Sequence, residues 1–152
     1  MQKIMSREDA LEIIDQSDFG VLSLSDAEGH PYGVPLSMVR KGDWLYFHGR
    51  KGGRKMGIIG RGCRAGFTCV AALRGVPVRF TTLFRSAIAE GGVELVEDRQ
   101  EQVEALRLLS QKYAPEAMKY FDREIGKSLD RTAVFRMKLE MLTAKGSLEK
   151  KG

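Results

Sequence analysis

Three observations predict an α+β fold built mainly on antiparallel strands. Apolar and aromatic segments of strand length follow one another, and the connections between them are short and turn-like. The 17 glycines, against four prolines, favour many tight turns. Helical segments do not alternate regularly with the strands, as a doubly wound parallel sheet would require. A twisted sheet of about six or seven strands tends to close into a small barrel, because closure removes exposed edges.

The first half of the chain predicts one helix and then a three-stranded meander. Ser6 is a suitable N-cap for a short helix whose apolar residues share one face. Strands are expected over 19–25, 31–39 and 44–48, with turns between them. Pro31 and Pro35 place the middle strand at an edge or a bulge, because each proline removes a backbone donor from the ladder.

The second half predicts further strands around one long helix. That helix begins after Asp98, a suitable N-cap, and its apolar residues repeat at helical spacing as far as Tyr113. Gly91 and Gly92 predict a bulge or sharp bend in a long β-prone run. The other expected elements are a short helix near 56–59, strands over 64–70, 78–96 and 131–142, a segment at 114–129 with Pro115 as helix start and Gly126 as stop, and a polar tail from about 146. No repeat or linker interrupts the pattern, so residues 1–152 are predicted to form one domain.

Composition, charge and residue spacing argue against several classes of protein. The net charge is +5, but the 25 basic and 20 acidic residues are interspersed, which supports nucleic-acid binding only weakly. Trp44, Tyr46 and Phe47 cluster on one strand instead of interleaving with cations along a groove, which also argues against a nucleic-acid partner. The spacing of Cys63 and Cys69 matches neither a zinc site nor a CxxC redox pair. With no segment of signal-peptide or membrane-spanning type, we expect a reduced cytoplasmic protein with no metal site and no membrane partner.

The segment YFHGRKGGRKMG, residues 46–57, combines four glycines with four cations, all of them directly after the predicted strand that ends at residue 48. It matches neither the GxxxxGK[ST] nor the GxGxxG pattern. Glycines allow backbone N–H groups to converge on an anion, and Arg54 and Lys55 lie at a predicted helix start. A solvated turn, a nucleic-acid patch and a cradle for a small phosphorylated ligand all remain open, and the solvated turn is as well supported as the phosphate site.

Groups suited to direct catalysis are scarce. His30 and His48 are the two histidines, and no nucleophile or metalloprotease motif is present. Thr82, Arg85 and Ser86 on a later strand could complete a phosphate or heterocycle site, although solvent-facing strand positions are the simpler interpretation. If the protein is an enzyme, a bound cofactor is expected to carry the chemistry.

Four segments in order resemble the FMN-binding split-barrel proteins related to pyridoxamine 5'-phosphate oxidase, and within them the nitroimidazole-resistance (Nim) branch. The resemblance extends from about Ser6 to Lys145. It implies a six-stranded Greek-key split barrel with flanking helices, and a homodimer that binds one FMN in each of two clefts between subunits. The segments are GVLSLSDAEGHPYGVPLSMV, LYFHGRKGGRKM, FTTLFRSAIAEGGVELVED and KSLDRTAVFRMKLE.

By the same resemblance, four groups of residues are expected to contact the cofactor. The basic glycine turn is then the cradle of the FMN phosphate. The groups are Pro35, Leu36, Ser37 and Met38 along the isoalloxazine; Phe47, His48 and Gly49 at the mouth of a strand; Lys51, Gly53, Arg54 and Lys55 at the phosphate; and Thr82, Arg85 and Ser86 approaching from a later strand.

The resemblance implies an FMN-dependent oxidoreductase, a small-molecule reductase of the Nim type, with nitro compounds as candidate substrates and a nicotinamide as reductant. FAD, deazaflavin and haem are less favoured cofactors. The alternative is a flavin or haem carrier without catalysis, for which His48 is the candidate axial ligand. His48 is also the one candidate for a catalytic role. The C-terminal segment lacks the Arg-x-His pattern of true pyridoxamine-phosphate oxidases, so that oxidase activity is not expected.

Overall fold

The computed structural model describes residues 3–60 and 62–147, and in these ranges the chain forms nine β-strands and four α-helices. The strands are β1 (Lys3–Ile4), β2 (Gly20–Ser25), β3 (Pro31–Leu36), β4 (Val39–Lys41), β5 (Trp44–Arg50), β6 (Cys63–Val76), β7 (Thr81–Leu95), β8 (Thr132–Lys138) and β9 (Met141–Gly146). The helices are α1 (Arg7–Gln16), α2 (Arg54–Ile59), α3 (Arg99–Tyr113) and α4 (Phe121–Ser128). The predicted polar tail falls largely outside the described residues.

All pairings in the sheet are antiparallel, and the strand order is β3-β2-β6-β7-β8-β5-β4, with β9 also on β7 and β1 on β9. One edge of β7 is divided between two strands, because residues 85–90 pair with β9 and residues 93–95 pair with β8. The predicted mainly antiparallel α+β fold is confirmed. β3 lies at the end of the strand order, as its prolines predicted.

Gly91 lies where β7 changes partners. A Cβ at this position would stand 1.8 Å from the carbonyl oxygen of Lys138, so only glycine allows this approach of two backbones. Of the bulge or sharp bend predicted at Gly91 and Gly92, the bulge is not found, because β7 and its register with β6 continue through both residues. The register shift lies on β6 instead, between Val70 and Ala72.

Other boundaries differ from the sequence prediction for local reasons. The expected strand 31–39 is two strands, β3 and β4, separated at Ser37 and Met38. The expected strand 131–142 is also divided, at Leu139 and Glu140. There the Leu139 backbone N–H donates to the backbone carbonyl oxygen of Asp43 instead of to a neighbouring strand. Helix α4 runs through Gly126, which therefore does not end it.

Aromatic and aliphatic side chains fill the interior of the barrel that the sheet forms. The rings of Phe47 and Phe67 are 5.5 Å apart, and Phe135 belongs to the same buried cluster. α1 packs against β6, β7 and β9 beside Arg85, whereas α2 lies near Gly49 and Phe135. The two helices therefore close opposite ends of the barrel interior.

The two outer faces of the sheet are covered differently. α3 and α4 pack on β5 and β8 and form a second buried cluster that includes Tyr46 and Val134. On the other face, here called the bare face, Val21, Val70, Leu73 and Ile88 are exposed. Val21 and Ile88 share one cross-strand row through Thr68. None of the described helices is long and apolar enough to cross a membrane.

Candidate functional site

The basic glycine turn connects β5 to α2 and closes one end of the barrel. Gly52 and Gly53 adopt φ values of +90° and +87°, which L side chains rarely tolerate. This left-handed backbone turns the chain back over the barrel, where Ile59 at the end of α2 is fully buried. The two glycines thus bring Arg54 and Lys55 from the exposed turn onto the barrel end.

Lys55 is directed back toward the barrel rather than into solvent. Its Nζ lies 5.3 Å from the centre of the Phe135 ring. A Cβ on Gly49 would stand 2.6 Å from the same Nζ, so the missing side chain of Gly49 provides the space for the ammonium group. Burial lowers the pKa of Lys55. Within residues 3–60 and 62–147 no carboxylate is paired with Lys55, so its charge has no counter-ion from the described chain.

Arg54 differs from its neighbour because the chain supplies its partners. The guanidinium lies 4.5 Å from the centre of the Tyr32 ring, and Nη2 is 3.8 Å from a carboxylate oxygen of Asp26. The backbone N–H of His30 donates to Asp26 and is the main cause of a lowered pKa for that carboxyl group. Asp26 is therefore ionised at neutral pH and holds Arg54 at the edge of the cradle.

His48 and Phe47 are neighbours on β5 but point to opposite faces of the sheet. Phe47 is fully buried in the barrel core, whereas His48 reaches solvent. Desolvation by neighbouring groups, and then the positive charge of Lys55, lower the pKa of His48. The imidazole is consequently neutral at neutral pH and has one ring nitrogen available as an acceptor.

The residues predicted to line the isoalloxazine lie at the end of β3 and in the connection to β4. Pro35 and Ser37 are exposed and Leu36 is half-buried. Met38 is fully buried in the barrel core, so only its backbone could face a ligand. This segment therefore presents two exposed residues next to a firmly packed one.

The structure separates Arg85 from the two residues with which it was grouped. Thr82 and Ser86 lie on the outer, bare face of β7, whereas Arg85 points inward and is only 5% exposed. Arg85 Nη1 donates to Gln16 at 3.2 Å, and Nη2 lies 3.8 Å from a carboxylate oxygen of Glu12. Two buried atoms of this guanidinium, Nε and Nη2, have no hydrogen-bond partner in the described chain.

The predicted phosphate residues are thus brought together at the α2 end, and three neighbours were missed from the sequence. Asp26 and Tyr32 contact Arg54, and Phe135 lies under Lys55. No sequence pattern marks them, because they reach the site through turns and strand pairings. A separate apolar cleft of about 350 Å³ lies between α3 and α4 and contains none of the predicted cofactor residues.

An ammonium group without a carboxylate, an adjacent guanidinium and a glycine-rich backbone form a donor set suited to phosphate. Gly49 adds a cradle that any Cβ would fill. The fold is that of the split-barrel proteins, and the α2 end of its barrel carries this donor set. More particularly, residues 6–146 match the family model described as pyridoxamine 5'-phosphate oxidase, and the chain belongs to that family.

Solved structures support the same fold. A candidate 5-nitroimidazole antibiotic resistance protein from Bacteroides thetaiotaomicron is 24% identical, with a TM-score of 0.72 and coverage of 95% of this chain and 88% of that one. The flavocytochrome Anf3 from Azotobacter vinelandii is 22% identical (TM-score 0.77, coverage 97% and 72%). An FAD and heme binding protein from Mycobacterium smegmatis is 23% identical (TM-score 0.78, coverage 97% and 74%). No curated protein matches this chain.

Proposed function

We propose that this protein is an FMN-binding oxidoreductase that holds the flavin phosphate at the α2 end of its barrel. The observation that carries the proposal is Lys55, a half-buried ammonium group with no carboxylate partner in the described chain. Removing a cation from water without an opposite charge is unfavourable, so an anionic ligand would relieve that cost. Arg54 and Lys51 stand beside it on the same turn.

A second copy of the chain is the proposed cover of the bare face, which gives a homodimer. Three side chains support this: Leu73, Val78 and Phe80, on the hairpin formed by β6 and β7, are 72%, 91% and 98% exposed. Exposed apolar groups of this size typically mark a protein contact. Thr82 and Ser86 lie on the same outer face, so a partner packed there would bring its own groups toward them.

In this proposal the protein binds and orients the flavin and the substrate, and the flavin, when bound, supplies hydride or electron transfer. Lys55 and Arg54 neutralise the phosphate. Pro35, Leu36 and Ser37 offer backbone and side-chain contacts for the planar ring. His48 is neutral and can donate from one nitrogen and accept at the other. A small oxidised molecule is the proposed substrate, with a nicotinamide as reductant, and nitro compounds enter as candidates through the likeness to the resistance protein.

The decisive experiment compares FMN with riboflavin, which lacks the phosphate. We expect the wild-type protein to bind FMN about 10- to 100-fold more tightly, because charge-assisted hydrogen bonds to phosphate contribute roughly 1.5–3 kcal/mol. Lys55→Ala should remove most of that preference, as measured by quenching of flavin fluorescence.

Lys119→Ala serves as the matched control, since Lys119 is an exposed lysine on the 3-10 turn after α3 and stacks on Tyr120. It should leave the preference for FMN unchanged. Equal affinity for FMN and riboflavin in the wild type, or no flavin binding at all, would reject the phosphate cradle.

A haem-binding role is the second candidate, and His48 is the observation in its favour. A neutral imidazole that reaches solvent is a suitable axial ligand. One protein of the same fold is named for FAD and heme binding, and another is named a flavocytochrome. A Soret band in the purified protein that disappears in His48→Ala would favour this role over the flavin assignment.

A further inference from the structure

The C-terminal end of α3 joins two loops that are distant in sequence. The hydroxyl group of Tyr113 accepts a hydrogen bond from the Met38 backbone N–H at 3.0 Å. It also lies 2.9 Å from the Met38 carbonyl oxygen and 2.7 Å from the Asp18 carbonyl oxygen. Because a hydroxyl group has one hydrogen, it donates to one of these carbonyls at a time.

Lys112 reinforces the same junction. Its Nζ donates to the carbonyl oxygen of Met38 at 3.0 Å and to that of Ser17 at 2.9 Å. Both backbone polar groups of Met38 are therefore bound by α3, while its side chain is fully buried in the core. The connection between α1 and β2 is held by the same two side chains, through Ser17 and Asp18.

Fixing Met38 also fixes the residue before it. Ser37 is exposed, and neither its backbone nor its side chain is bonded to α3. Its position is set by β3 on one side and by the immobilised Met38 on the other. Contacts of this kind hold ligand-facing groups in place before the ligand arrives, which lowers the entropy that binding must remove.

We infer that Tyr113, assisted by Lys112, is a positioning residue that holds segment 35–38 as a preformed edge for the isoalloxazine ring. The inference rests on the proposed function, because it requires a flavin at that edge. Tyr113 does not touch the ligand; it acts through the backbone of Met38. No charged group takes part besides Lys112, so the effect is one of geometry rather than of net charge.

The test compares Tyr113→Phe with Tyr46→Phe. Each variant removes one hydroxyl group that bonds α3 to another part of the chain. Tyr113 lies at the C-terminal end of α3, whereas Tyr46 on β5 donates to Glu101 near the N-terminal end of α3, at 2.7 Å. In the protein without flavin, we expect Tyr113→Phe to accelerate amide hydrogen exchange at Met38, and Tyr46→Phe to leave that amide unchanged. With FMN added, Tyr113→Phe should weaken binding about two- to tenfold, the range expected for one net hydrogen bond, and should shift the visible absorption bands of the bound flavin.

The outcomes separate the two proposals. If the wild type binds FMN and Tyr113→Phe keeps both its affinity and its flavin spectrum, the positioning role is wrong and the proposed function stands. Unchanged exchange at Met38 would also overturn the role. If the wild type binds no flavin, the proposed function fails first and the positioning role falls with it. Lys112→Met provides the same test at the second contact if Tyr113→Phe does not fold.

Discussion

The two ends of the barrel each contain a cation, and the surroundings of these cations differ. Lys55, at the α2 end, is half-buried beside Phe135 and has no carboxylate partner in the described chain. Arg85, at the α1 end, is almost completely buried, donates to Gln16 and lies 3.8 Å from Glu12. Both were predicted to contact the cofactor.

The difference shows how a structural cation can be distinguished from one that is available to a ligand. Arg85 lies under a helix that carries a carboxylate and an amide toward it, so its charge is paired within the chain, although its Nε and Nη2 atoms have no hydrogen-bond partner in the described residues. Lys55 lies beside the Phe135 ring and Gly49 without a carboxylate partner among the described residues, and burial lowers its pKa. An anion can reach Lys55 without displacing any internal partner. This difference supports the proposed ligand site at the α2 end, whereas Arg85 contacts helix α1.

The largest effect is expected from Arg85→Ala. The change removes a buried side chain and its contacts with α1, so the free energy of unfolding should fall by about 2–4 kcal/mol. Affinity for FMN should change less than about twofold, because Arg85 is bonded to α1 and lies away from the proposed phosphate residues. Urea denaturation and flavin titration measure the two quantities.

Lys55→Ala provides the complementary control, with a stability change of under about 1 kcal/mol and a loss of FMN affinity. A loss of roughly tenfold or more in the FMN affinity of Arg85→Ala, with the fold intact, would contradict the distinction drawn between Arg85 and Lys55. It would place Arg85 at the flavin after all.

A smaller effect is expected from Gly49→Ala. The new Cβ would stand 2.6 Å from Lys55 Nζ, and the flexible lysine side chain would move out of its place without unfolding the barrel. FMN affinity should fall about threefold, within the range of one weakened hydrogen bond. Gly57→Ala on α2 is the matched control, because a Cβ there meets nothing within 4 Å. Equal affinities in the two variants would show that Lys55 does not need the space beside Gly49.

The smallest effect concerns the titration of His48. Its pKa in the folded protein is below the ordinary value of 6.5, so the unfolded chain binds a proton more readily than the folded one. Stability is therefore retained above pH 6.5 and declines as the pH falls from there through the folded pKa. In Lys55→Ala one cause of the lowering disappears, and the pKa of His48 should rise toward its ordinary value.

Titration of the His48 ring protons by NMR measures this shift, with the His30 resonances as an internal reference. FMN phosphate should raise the same pKa in the wild type by neutralising Lys55. An unchanged His48 pKa in Lys55→Ala would mean that the ammonium group does not lie near the imidazole in solution.

Local chemistry in the sequence determined several elements directly. Ser6 is the expected N-cap of α1, where Asp9 completes a capping box, and Asp98 caps α3. Gly52 and Gly53 adopt the left-handed backbone that a glycine turn allows. Each of these features depends on residues within a few positions of one another, so short-range patterns are sufficient to predict them. The contiguous cations Arg54 and Lys55 were found for the same reason.

Tertiary structure alone decided which of these cations is neutralised and which is not. Asp26 lies in the turn between β2 and β3 and forms an ion pair with Arg54, whereas the Lys55 ammonium group lies beside the ring of Phe135, which is distant in sequence. Arg85 points inward because it alternates along β7 with the buried Ala87 and Ala89, whereas the register of β6 against β7 shifts between Val70 and Ala72. A shift of one residue exchanges the two faces of a strand, and the sequence does not reveal where it occurs. The sequence by itself determined which residues could bind an anion, whereas the pairing of distant strands determined that, among the described residues, Arg54 has a nearby carboxylate and Lys55 does not.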